Sequence, residues 1–157
     1  MNPFKASDIV EFAIRIEENG ENFYRYATQL TNDEEVKRSF QNLAQAEAQH
    51  RQLFERLLAA VESGRPPETY DGEYAAYLHN YVDGNIIFKK EMLTQELEKI
   101  KNVKDAIAFA IRRELDSILY YQEIKNFISE KEHPTIERII EEERKHFKGL
   151  SSLLARL

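Results

Sequence analysis

Cysteine is missing from this chain. Its absence excludes disulfides, iron–sulfur clusters, four-cysteine iron and thiol catalysis within these residues. Any metal held here must be bound by oxygen and nitrogen. Glycine and proline are scarce, at 5 and 4 in 157 residues, which argues against a turn-rich β fold and against a low-complexity chain. No apolar run approaches the ~18–20 residues that a membrane span needs, and the first residues lack the pattern of a signal peptide, so cytoplasm is the expected location. Basic residues are outnumbered by acidic ones, 22 to 28, and the net charge of −6 gives no electrostatic footing for nucleic acid or an anionic membrane. What remains is charge interleaved with hydrophobic residues at helical spacing. The length suits one domain with a single core, and the expectation is one all-α domain over 1–157.

Four long amphipathic stretches carry that expectation. Ile9, Ala13, Ile16, Gly20, Phe23, Ala27 and Leu30 recur at steps of four and three, which predicts a helix over about 8–30, with Asp8 and Glu11 placed as a capping box. Val36, Phe40, Leu43, Ala44, Leu53, Phe54 and Leu57 predict a second helix over about 33–62, with Asn32 as its N-cap. Ser63-Gly64-Arg65-Pro66-Pro67 ends it. A less regular region follows, with an aromatic strip of Tyr70, Tyr74, Tyr77 and Tyr81, a short helix around 73–82 and weak helical character over 88–100. A third helix is expected over about 103–129, capped by Asn102, and a fourth from Pro134 to about 155. The sum is a four-helix bundle of two hairpins, about 7–63 and about 103–156, joined by a long crossover over about 64–102.

Polar residues interrupt the apolar stripes at matching places. Glu47 and His50 lie three residues apart on the second helix, and Glu143 and His146 repeat the spacing on the fourth. Residues three apart share a helix face, so each pair can grip one ion. Glu17 and Glu114 precede these pairs by similar distances on the first and third helices. An offset of 97 residues carries Ile14-Arg15-x-Glu17 onto Ile111-Arg112-x-Glu114 and Tyr24 onto Tyr121, and an offset of 96 carries Glu47 and His50 onto Glu143 and His146. This reads as a duplicated hairpin related by an approximate two-fold axis. Counted from the two turns, all six groups fall at similar heights near mid-bundle. A single Glu-x-x-His pair is weak evidence; the two pairs, the two extra glutamates and the register together point to a two-metal site.

Four carboxylates and two neutral imidazoles balance two divalent ions, and an oxo or hydroxo bridge would balance oxidation to two trivalent ions. Hard O/N ligands suit iron first and manganese second, with zinc compatible on affinity alone. Tyr24 and Tyr121 lie two turns beyond Glu17 and Glu114 and are candidates to hydrogen-bond a metal ligand. Gly20, one turn from Glu17, and Ser117 could leave an access pocket. His79 and His133 read as crossover and turn residues, and Glu141-Glu142 as a solvated face.

Ile16-Glu17-x-x-Gly20-x-x-Phe23-Tyr24, Leu43-Ala44-x-x-Glu47-x-x-His50, Ala110-x-x-x-Glu114 with Tyr121, and Ile139-Ile140-x-x-Glu143-x-x-His146 together resemble the rubrerythrin family of ferritin-like di-iron proteins. The resemblance covers the four bundle helices and the placement of the crossover. It implies a left-handed four-helix bundle with two iron ions, Glu17 and Glu114 as ligands or bridges, the two Glu-x-x-His pairs as the remaining ligands, and a homodimer. Two departures stand out. Rubrerythrins proper carry a four-cysteine rubredoxin-like domain, which this sequence lacks, so reducing equivalents must come from an external electron donor. They also carry an extra glutamate one turn after the third-helix ligand, where this chain has Ser117, mirrored by Gly20.

The leading expectation is a di-iron oxidoreductase acting on peroxide or dioxygen. The alternatives are a ferroxidase or iron-binding protein, a dimanganese catalase-like enzyme, and a metal-free helical interaction module.

Overall fold

The computed structural model describes residues 5–62, 76, 80 and 90–157. Among these, every regular element is helical: α1 (Ala6–Ala27), α2 (Glu34–Glu62), α3 (Lys90–Lys99), α4 (Val103–Ile124) and α5 (His133–Arg156), with single 3₁₀ turns at Thr28–Leu30 and Glu130–Glu132. The tyrosine strip, the Gly-Pro-Pro stop, His79 and all but two positions of the short helix expected around 73–82 lie outside the described residues. The weak helical character expected over 88–100 corresponds to α3.

Helix ends follow local chemistry, with three corrections to the sequence reading. Asp8 does not precede α1; it lies inside the first turn, where its carboxylate accepts the Lys5 backbone N–H at 2.9 Å. The cap of α2 is Asp33 rather than Asn32. Asp33 Oδ1 accepts from the N–H groups of Glu35 and Val36 at 2.9 and 3.1 Å, satisfying two donors that a helix start leaves open. Helix α4 stops at Ile124, short of the expected 129, as the chain tightens into i→i+3 bonds at Asn126 and Phe127. Asn102 does cap α4, accepting the Asp105 N–H at 2.9 Å.

Helix α1 packs along α2 and α4 along α5, and the two hairpins meet through α1 against α4 and α2 against α5. The apolar stripes turn inward and form two clusters. One contains Ile9, Ala13, Phe54, Tyr121, Ile136 and Ile140; the other contains Phe23, Ala27, Phe40, Ala110, Leu150 and Leu153. Each large side chain removed from water in this way contributes about 1.5–3 kcal/mol. Polar ties fix the hairpins against each other: the Tyr120 hydroxyl donates to the Ile9 carbonyl at 2.8 Å, and Arg113 Nη2 donates to the Ile16 carbonyl at 3.0 Å. At the end of the crossover, the Tyr26 hydroxyl donates to the Ile100 carbonyl at 3.0 Å. Between the two apolar clusters lies a layer of buried carboxylate and imidazole.

Candidate metal centre

Each apolar stripe is broken once by that polar layer. Glu17 follows Ile16 on α1, Glu47 and His50 interrupt the run from Ala44 to Phe54 on α2, Glu114 follows Ala110 by one turn on α4, and Glu143 follows Ile140 on α5. Because these breaks stand at one height, the four helices aim their polar residues at a common point. Glu17, Glu47, His50, Glu114 and Glu143 are buried, and the His146 side chain keeps 16% of its surface exposed. All six sequence candidates are brought together.

They form two overlapping groups: Glu17, Glu47, His50 and Glu143, and then Glu47, Glu114, Glu143 and His146. Within each group, one donor atom per residue lies within 4.8 Å of the others. Glu47 and Glu143 belong to both groups, whereas Glu17 and Glu114 belong to one each. Glu47 and Glu143, the first residue of each Glu-x-x-His pair, are thus the two common to both groups. The physical reason is reach: α2 and α5 each carry two site residues on one face, so the first of each pair stands between the two histidines. The imidazole rings lie 5.9 Å apart and nearly parallel, at 26°.

The protein alone does not satisfy this layer. Glu17 Oε2, Glu47 Oε1, His50 Nδ1 and Glu143 Oε1 are buried without a hydrogen-bond partner among the described residues. His50 Nδ1 comes within 2.8 Å of Glu143 Oε1, but without hydrogen-bond alignment, so both atoms stay open. A buried unpartnered carboxylate oxygen is costly, and four open donor atoms converging on one point is a strong departure from ordinary packing. Two divalent cations fit this donor set in charge, in ligand type and in the sharing of two carboxylates.

Proton affinities record the same crowding. Burial works against a charged His50, but the carboxylates of Glu143 and Glu17 beside it prevail and lift it to about 11. His146 is lifted to about 10, with Glu114 and Glu143 outweighing burial. Burial and the charge of Glu143 push Glu114 up to about 8. Burial, then the charges of Glu17, Glu143 and Glu114, also hold Glu47 well above the carboxylate range. Glu143 is buried as well, yet contacts from Glu114, His146 and His50 hold it down. Without cations, the layer holds protons in their place.

Tyr24 and Tyr121 cross between hairpins. The Tyr24 hydroxyl donates to Glu114 Oε1, and the Tyr121 hydroxyl donates to Glu17 Oε1. Each serves the glutamate of the other hairpin, not the one on its own helix. Burial, reinforced by the neighbouring carboxylates, raises both phenols well above their ordinary range. Gly20 makes room for the Glu47 carboxylate. A Cβ built there would collide with Glu47 Oε2 and lie 3.3 Å from Arg113 Nη2, so the space the glycine leaves is taken by those side chains. Ser117, the other half of the expected access pocket, is itself buried.

Two neighbours escaped the sequence reading. Glu142 Oε2 lies 2.6 Å from His50 Nε2, on the ring edge that faces away from the centre. Its place beside Glu141, which pairs with Arg144, made it look like part of a solvated face. Only the spacing between α2 and α5 shows that it reaches across. Arg113 lies one residue before Glu114, and its Nη1 is buried without a hydrogen-bond partner among the described residues. A basic residue beside a helix stripe carries no sequence signal for that placement.

Comparison with known proteins agrees with this geometry. The chain is similar to a crystal structure from Thermotoga maritima of a protein described, provisionally, as a ferritin-like diiron-carboxylate protein. The TM-score is 0.71, with 28% sequence identity, over 99% of this chain and 97% of that one. No curated protein matches the chain. Among the described residues, no helix is long and apolar enough to cross a membrane. The family model for rubrerythrin matches residues 8–154, a span that includes every residue of the polar layer and all but the outermost two residues at each end of the bundle. With that match and the ferritin-like fold, the chain belongs to the rubrerythrin family.

Proposed function

We propose that this protein is a di-iron oxidoreductase that reduces peroxide or dioxygen with electrons from an external donor. The observation that carries the reading is the pair of overlapping donor groups sharing Glu47 and Glu143, whose open atoms sit buried between two apolar clusters. Glu17, Glu47 and His50 with Glu143 would hold one ion, and Glu114 and His146 with the shared glutamates the other. When bound, two ferrous ions supply the two electrons that cleave the O–O bond of hydrogen peroxide, which takes up two protons and leaves as two waters. The chain's own part is to position and to shield. Tyr24 and Tyr121 fix the orientation of Glu114 and Glu17. The apolar clusters above and below keep bulk water from the layer, which strengthens every electrostatic contact within it.

A metal-free interaction module fits less well, because such a bundle would pair its buried carboxylates internally instead of leaving donor atoms open toward one point. The test is anaerobic titration of the metal-free chain with Fe(II), followed by peroxide and a reductant. Uptake of about two ions per chain, then repeated peroxide consumption, is the expected result. Uptake followed by one round of oxidation with ferric product retained would assign the protein to iron handling. No uptake of iron or manganese would overturn the reading.

A further inference from the structure

The two halves of the centre match in almost every respect. Each has one unshared glutamate held by a tyrosine from the opposite hairpin, and each shares Glu47 and Glu143. They differ in what stands behind the imidazole. His50 turns Nδ1 toward the centre and Nε2 toward Glu142, 2.6 Å away, and only 1% of its side chain is exposed. His146 also turns Nδ1 inward, 3.3 Å from Glu143 and 3.7 Å from Glu114. Its Nε2 has no hydrogen bond among the described residues, and the side chain is 16% exposed. The offset of 96 residues that carries His50 onto His146 carries Ala46 onto Glu142, so a methyl group stands where a carboxylate would be needed.

A carboxylate behind a metal-ligating imidazole fixes its tautomer, holds the ring in line and makes the inner nitrogen a better donor. We propose that Glu142 makes the two halves unequal, so that the half containing His50 binds its divalent cation more tightly and fills first, while the half containing His146 is the exchangeable position. The inference rests on the reading of the polar layer as a metal centre. Glu142 is a positioning residue: it touches the ring and not the centre.

The test uses the full chain, freed of metal and labelled with ¹⁵N in its histidines, titrated with Zn(II) as a diamagnetic probe. The ring nitrogens of His50 and His146 are followed by NMR, and the binding constants by calorimetry. In the unaltered chain the His50 ring shifts with the first equivalent and the His146 ring with the second, the two constants differing by about tenfold or more. Glu142→Gln preserves size and removes charge. It weakens the first step by about tenfold, leaves the second in place and abolishes the order of filling. Ala46→Glu supplies the missing carboxylate and tightens the second step. A general loss of packing could lower the melting temperature of either variant but would not exchange the order in which two rings respond. Two zinc ions binding with equal affinity, or an order unchanged by Glu142→Gln, overturns this inference and leaves the metal centre standing. No response at either ring overturns the metal centre and the inference with it.

Discussion

Glu47 and Glu143 occupy positions that no other residue of the centre shares, since each belongs to both donor groups. Glu143→Gln should therefore impair uptake of both ions, whereas Glu17→Gln should spare the one at Glu114 and His146; metal content per chain after equilibration and gel filtration distinguishes the two. Gly20→Ala makes a sharper case. Alanine is favoured over glycine in a helix interior by about 1 kcal/mol. The atoms that a Cβ would strike are the far ends of Glu47 and Arg113, which can rotate aside. The metal-free variant should melt at or above the temperature of the unaltered chain. The displaced Glu47 carboxylate, however, no longer reaches the centre, so added Mn(II) should raise the melting temperature less than it does in the unaltered chain. A fall in metal-free stability together with a full metal response would show that Gly20 serves helix packing alone. The tyrosines differ again. Tyr24→Phe removes a donor from the buried Glu114 carboxylate, and the expected loss is about 1–3 kcal/mol in the metal-free chain, read from denaturant unfolding.

At the scale of the helix, the caps are separable from the centre. Asp33 closes the start of α2 with two hydrogen bonds and lies more than three turns before Glu47, so Asp33→Ala should cost about 1 kcal/mol in denaturant unfolding while leaving metal stoichiometry intact. The same residue shows where sequence reading stops. Asn32 and Asp33 are adjacent and both are good caps; which of them ends outside the helix depends on how the Thr28–Leu30 turn delivers the chain, which is a matter of backbone path. The helix stripes themselves were legible because burial imposes its period directly: Ile9, Ala13, Ile16, Phe23 and Ala27 are all buried as the spacing requires. So were the six polar interruptions, because a carboxylate inside an apolar stripe has few structural excuses. The sharing of Glu47 and Glu143, the crossed tyrosine bonds and the reach of Glu142 to His50 depend on distances between helices. Neither periodicity nor motif spacing along one helix contains that information.

The whole molecule couples protons, cations and stability through one buried layer. His50 and His146 have metal-free values of about 11 and about 10, above the ordinary imidazole value of about 6.5. A group whose affinity for protons is raised by folding stabilises the fold while protonated. Their contribution is full below about 6.5 and disappears as pH rises through about 10 to 11. Glu114, raised to about 8, behaves alike: its contribution is full below about 4.5 and is lost as pH rises through about 8. The metal-free chain should accordingly lose stability from mildly acidic to alkaline pH. Bound cations reverse the sign, because they take the place of these protons; apparent affinity rises with pH, and the stabilisation they confer rises with affinity. Melting temperatures with and without Mn(II), measured at about pH 6, 7.5 and 9, should therefore diverge steadily as pH rises, with proton release on binding seen as a buffer-dependent heat. A constant gap across that range would mean that the cations bind elsewhere than at the histidines. A gap that opens only in chains retaining both His50 and His146 would tie the protons and the metals to the same six side chains.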